Sequence, residues 1–198
     1  CMHSSISFSP VWVRVWLVRW LVWAKRLPHP LCWHWKGFSP VWVRVCSVRA
    51  LDLAKRAAKP VCILEHADRL NDSTYTLREL LARQSGARVF APFMFDPECA
   101  AACVAAGTGA TVDLQLCGKT SPQAGGPLSV SAKIIWAGQK TIKVTGPLYT
   151  GATFNLGPSA VLDLGGGVMV SLISIQWSAI DRDPFDQFAL RPEDFAII

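Results

Sequence analysis

Glu65, His66, Asp68, Asn71, Asp72, Ser73 and Thr74 fall within one ten-residue run, EHADRLNDST. Carboxylates and an imidazole this close together, just ahead of a helical pattern, suit a metal, an anion or a polar substrate. A helix start adds exposed backbone N–H groups to that setting. The same run also reads as a polar connecting loop in which Asp72 merely caps the helix. His66 has no second histidine at ligand spacing, so on its own it reads as a loop residue. A second acidic group, Asp96-Pro97-Glu98, follows an apolar run. Lys119 lies in LCGKT, which matches the end of a phosphate-binding loop. That motif needs glycine where this chain has Asp113, so nucleotide binding is rejected.

The elements that must position these residues are legible from residue 60 onward. PVCILE (60–65) is a short apolar run of buried-strand type. Asp72 can cap a helix through DSTYTLRELLARQ, with Leu77, Leu80 and Leu81 on one face and Gly86 after its end. RVFAPFMF (88–95) is a second strand. Asp96, Pro97 and Glu98 then supply a cap, a first-turn proline and a first-turn acid for a helix ending at Gly107. ATVDLQLC (110–117) is a third strand.

The expected fold class is therefore α/β, a parallel strand-helix-strand-helix-strand unit with right-handed crossovers. Antiparallel hairpins follow: one turning near Gly138 and another at Gly165–Gly167, then a short helix near PFDQFAL and a strand FAII. In a parallel unit both polar runs, 65–74 and 96–98, lie beyond carboxyl ends of strands, on the edge where ligands gather. The glycines of GTG (107–109) read as a turn.

Composition divides the chain. Residues 1–59 hold ten Lys/Arg and one acid, Asp52, for about +9; residues 60–198 hold ten basic and thirteen acidic side chains, for about −3. Seven of the nine tryptophans precede residue 46, which places a boundary near 46–60. FSPVWVRV occurs at 8–15 and again at 38–45, and the stretches 8–26 and 38–56 share fourteen identities in nineteen. Two near-identical copies are too few for a solenoid. Residues 1–46 read as a duplicated Trp/Arg-rich extension, poorly ordered or the mark of a rearranged or out-of-frame start, and 47–198 as the domain.

The extension's apolar run carries Arg14 and Arg19, so it is neither a signal peptide nor a membrane span. Its basic and aromatic side chains could serve a membrane surface or single-stranded nucleic acid. No nucleic-acid module is recognisable, and neither partner is expected; the sequence specifies no oligomeric state. Seven cysteines without paired metal spacing point to packing rather than ligation, and to a reducing, cytoplasmic setting.

Taken together, EHADRLNDSTYTLRELL, FDPECAAACVAAGTGATVDLQLCGK, GPLYTGATFNLGPSAVLDLGG and DPFDQFALRPEDFAII resemble, in linked order, the C-terminal domain of the microcystinase C (MlrC) family of zinc metallopeptidases. The resemblance runs from about Ser47 to Ile198. It implies hydrolysis of small or linearised peptides, microcystin among them, by zinc-activated water. It also implies that the zinc ligands belong to a larger N-terminal domain, with no metal ligand in this chain. Glu65, His66, Asp68, Asn71, Asp72, Ser73, Thr74, Asp96 and Lys119 would line the cleft, and the isolated domain would be inactive. The family's glycine-rich loop is shortened here to Arg69-Leu70-Asn71, and both chain ends read as cut. The competing reading is a non-catalytic membrane-interfacial or partner-binding module.

Overall fold

The computed structural model describes residues 13–14, 40–58, 60–63, 71–179 and 181–198. In chain order its elements are β1 (Val13–Arg14), α1 (Pro40–Ala54), β2 (Val61–Cys62), α2 (Tyr75–Arg83), β3 (Val89–Phe95) and α3 (Pro97–Ala106). β4 (Thr111–Leu116), β5 (Leu128–Lys143), β6 (Thr153–Asp163), β7 (Val168–Ile173) and α4 (Asp183–Asp186) follow. The second copy of the octapeptide contributes its last six residues to α1; apart from Val13–Arg14, the first copy lies outside the described residues.

The fold is mixed α/β. Its five-stranded sheet has the order β3-β7-β6-β5-β4, with β3 and β7 parallel and every other pair antiparallel. The expected parallel unit is corrected in one part. β2 and β3 do run parallel, joined through Ile197, which bridges Val61 on one side and Val89 on the other. β4, however, sits at the far edge from β3 and pairs antiparallel with β5. The reason is long-range: α3 lies across β6, β5, β4 and β7, carrying the chain over the sheet, and β7 takes the place beside β3.

A second correction concerns Gly138. No turn forms there, and β5 continues for sixteen residues. Gly138 serves close approach instead, since a Cβ on it would stand 3.3 Å from the Trp136 ring. β5 changes partners along its length, pairing with β4 over 128–133 and with β6 over 133–143. This switch lets the sheet curl until the ends of its edge strands meet. The hairpin at Gly165–Gly167 forms as expected between β6 and β7, with all three glycines at positive φ.

The core lies between the sheet and its helices. Leu77 and Leu80 of α2, Cys99, Ala100 and Cys103 of α3, and Ile134, Leu162 and Leu172 of the sheet are all buried in it. A second cluster stacks Phe90, Phe185 and Phe195, with Phe90 ring centroids 5.2 and 5.1 Å from the other two. Among the described residues no helix is long and apolar enough to cross a membrane.

Candidate functional site

β3 ends in an irregular strand. Its register shifts between Ala91 and Met94, around Pro92, which has no N–H to give to a ladder. Phe93 is fully buried at φ +53, and its N–H donates to Ser171 Oγ at 2.8 Å in place of a strand partner. Asn71, itself left-handed, clamps the bulge: its Nδ2 donates to the carbonyls of Pro92 and Phe93, both at 2.7 Å. Its carbonyl accepts from Phe95 N at 3.0 Å. The chain entering α2 is thus stitched to the carboxyl end of β3.

Asp96 follows at once and is 2% exposed. Its Oδ1 caps α3 by accepting from Cys99 N at 3.0 Å, as its place before Pro97 predicts. Its Oδ2 accepts from Cys117 N at 2.7 Å, tying the residue after β4 to the residue after β3. Lys119 Nζ stands 3.2 Å from both Asp96 oxygens and 2.8 Å from Glu98 Oε2. Burial on its own would lower the Lys119 pKa. Its bonds to Glu98 and Asp96 outweigh that and raise it, so the ammonium stays charged.

Asp72 is 1% exposed and does not cap α2, contrary to the sequence reading. Thr74 occupies the cap position, and the Asp72 carboxylate turns away to Thr120. Its Oδ2 accepts from Thr120 N at 2.9 Å and Thr120 Oγ1 at 2.7 Å; its Oδ1 has no hydrogen-bond partner among the described residues. The Asp72 carbonyl accepts from Gly118 N at 2.9 Å. The helix's other end also differs, being closed by left-handed Gln84 rather than by Gly86.

These bonds explain LCGKT. The N–H groups of Cys117 and Thr120, the Thr120 hydroxyl and the Lys119 ammonium would make an anion cradle, and two carboxylates of the chain itself fill it. Gly118 lets the turn close, because at φ +67 a Cβ would lie 2.1 Å from Gly126 O. The returning loop is held from α2. Thr74 Oγ1 donates to Gly126 O at 2.8 Å, and Arg78 Nη2 reaches the carbonyls of Gly125, Gly126 and Pro127, each at 3.2 Å.

The structure therefore brings Asn71, Asp72, Thr74, Asp96 and Lys119 into one cluster at the carboxyl ends of β3 and β4, with Ser73 half-buried between Asp72 and Thr74. Glu65, His66 and Asp68 lie outside the described residues. Sequence reasoning missed Thr120, Cys117 and Arg78. The signal for Cys117 and Thr120 was LCGKT itself, a donor-rich turn with two short acidic runs upstream and no phosphate-loop glycine.

The thiols beside the cluster are held protonated. Burial pushes the Cys99 thiol to about 12, helped by Asp96, and the Cys103 thiol to about 11; Cys117 is raised well above the usual value. None is a nucleophile near neutrality. Among the described residues no three His, Cys, Asp or Glu side chains are placed to hold a metal. Asp72 Oδ2 and both Asp96 oxygens are already engaged by backbone, hydroxyl and ammonium donors.

A family model described as MlrC C-terminus matches residues 70–198, starting later than the resemblance drawn from Ser47. Among solved structures, a protein of Mesorhizobium sp. BNC1 described as a metallopeptidase superposes with a TM-score of 0.69 at 20% identity. The match covers 76% of this chain and 31% of that one, so this chain spans about a third of that protein's length; at this identity the likeness shows the fold alone. The sequence matches no curated protein.

Proposed function

This chain belongs to the MlrC C-terminus family, and from that premise we propose that it is the C-terminal part of a zinc metallopeptidase that hydrolyses small or linearised peptides. The observation that carries the proposal is the family match over 70–198, to which the fold of a longer metallopeptidase adds support. On this reading the zinc and its ligands reside in a larger N-terminal part of the parent enzyme. This chain lines the cleft with Asn71, Asp72, Ser73, Thr74, Asp96 and Lys119, together with Glu65, His66 and Asp68. The role of the described cluster is architectural. It fixes the edge of the sheet so that Asp72 Oδ1, buried and without a partner among the described residues, sits beside the 117–120 turn.

The test is zinc stoichiometry by elemental analysis, paired with hydrolysis of linear peptides by the purified chain. The expected outcome is no tightly held zinc and no turnover. One zinc per chain, together with turnover, would overturn the placement of the ligands outside this chain.

A further inference from the structure

The β5–β6 hairpin runs past β7, whose register with β6 begins at Ser159 and ends at Asp163. This arm carries apolar side chains into solvent: Leu148 is 52% exposed and Tyr149 60%, and Ile175, in the segment after β7, is 49% exposed beside them. Tyr149, Phe154 and Trp177 form one ring cluster, with centroids 6.3 Å (Tyr149–Phe154), 6.2 Å (Tyr149–Trp177) and 4.0 Å (Phe154–Trp177) apart. Exposed aromatic groups backed by other rings mark contact sites rather than ordinary surface.

The cluster is held rigidly. Tyr149 has φ +64, a left-handed conformation that bulky residues rarely adopt, and its carbonyl accepts from Ala152 N at 2.9 Å. The base of the loop is pinned by buried Asp183, whose Oδ1 accepts from Thr145 Oγ1 at 2.6 Å. Gly146 beside it leaves room for Asp181 that a Cβ would fill. Next to the rings the edge of β6 is open among the described residues. The outer edge of β6 is bonded at Leu156, whose carbonyl accepts from Ser174 N and Ile175 N. Over Thr153–Asn155 only β5 pairs with it among the described residues.

A free strand edge beside a preformed aromatic platform fits one kind of occupant, an extended peptide with an apolar side chain. We propose that Thr153–Asn155 takes such a peptide by strand addition, with its aromatic or aliphatic side chain seated against Tyr149, Phe154 and Trp177. The inference deepens the peptidase reading by giving this chain a specificity site, yet peptide binding here stands whether or not the parent enzyme cleaves the peptide. Edge hydrogen bonds would supply sequence-independent affinity, and the rings would select the side chain.

The experiment uses the whole chain, isotopically labelled, titrated with the blocked peptide Ac-Ala-Phe-Ala-NH2 and followed by amide chemical shifts. Saturable shifts confined to residues 148–155 and 175–177 are expected. Affinity should fall about tenfold for Ac-Ala-Ala-Ala-NH2, and by a similar factor for Tyr149→Ser. Leu148→Ser, at an exposed position, repeats the test should the tyrosine variant misfold. Methylating the peptide's backbone nitrogens should abolish binding, since strand addition needs them. Three results overturn the proposal: no saturable shift, equal affinity for the phenylalanine and alanine peptides, or concentration-dependent broadening of the same amides without peptide. The last would make the arm a contact between copies. Binding without any parent peptidase activity would leave this site standing and count only against the hydrolase reading.

Discussion

At the scale of single residues, Asp96 has the most to lose. It caps α3, accepts from Cys117 N and faces the Lys119 ammonium while almost wholly buried. Asp96→Ala removes the cap, leaves the buried Cys117 N–H without its acceptor and takes from Lys119 one of its two carboxylate partners. We expect a loss of about 3 kcal/mol in chemical denaturation. The thiols make a separate pH prediction. Burial holds Cys99 at about 12 and Cys103 at about 11, against an ordinary value of 9.0. Above that ordinary value the unfolded chain has lost thiol protons that the folded chain retains, so stability falls as pH rises. The loss should accumulate from pH 9 through the folded-state values, and Cys103→Ala should flatten the part due to that residue. Thermal unfolding measured between pH 8 and 11 checks both.

At the scale of elements, legibility followed locality. The helix after Asp96 was readable because its cap, first-turn proline and closing glycine are all within one short window. Asp72 was misread for the same reason. Its place before a helix suggests a cap, whereas its partner, Thr120, lies 48 residues away. Gly138 was read as a turn because glycine often makes one, but here it makes room for Trp136, a neighbour the sequence does not mark as such. Gly118 in the 117–127 turn and Gly109 before β4 offer a contrast. Gly118→Ala combines positive φ with a Cβ pressed against the Gly126 carbonyl, whereas Gly109→Ala meets positive φ in open space. We expect about 1 kcal/mol from the second and at least about 3 kcal/mol from the first, read as denaturation midpoints. Equal costs would show that Gly126 yields.

At the scale of the whole molecule, the α/β class and the β6–β7 hairpin were legible, and the strand order was not. β4 stands at the far edge because β7 holds the place beside β3, a matter of pairing between distant segments rather than of local pattern. The candidate site was legible as three polar runs, but their convergence depends on the curl of the sheet. Ile197 is fully buried and bridges β2 to β3, and Ile63 N and Ile198 N complete the join to the same segment. Deleting residues 196–198 should therefore release β2. In hydrogen exchange we expect Val61 and Ile63 to lose protection and the amides of β5 and β6 to keep theirs; unchanged protection at Val61 would refute the dependence.

The same join orders events during synthesis. Val61 leaves the ribosome while the segment that secures it is still untranslated, and closing so long a loop is slow. Until then β2 has only the short strand β1 and the helix α1 beside it. The nascent chain must therefore keep β2 in place without the 196–198 segment until those residues have been made.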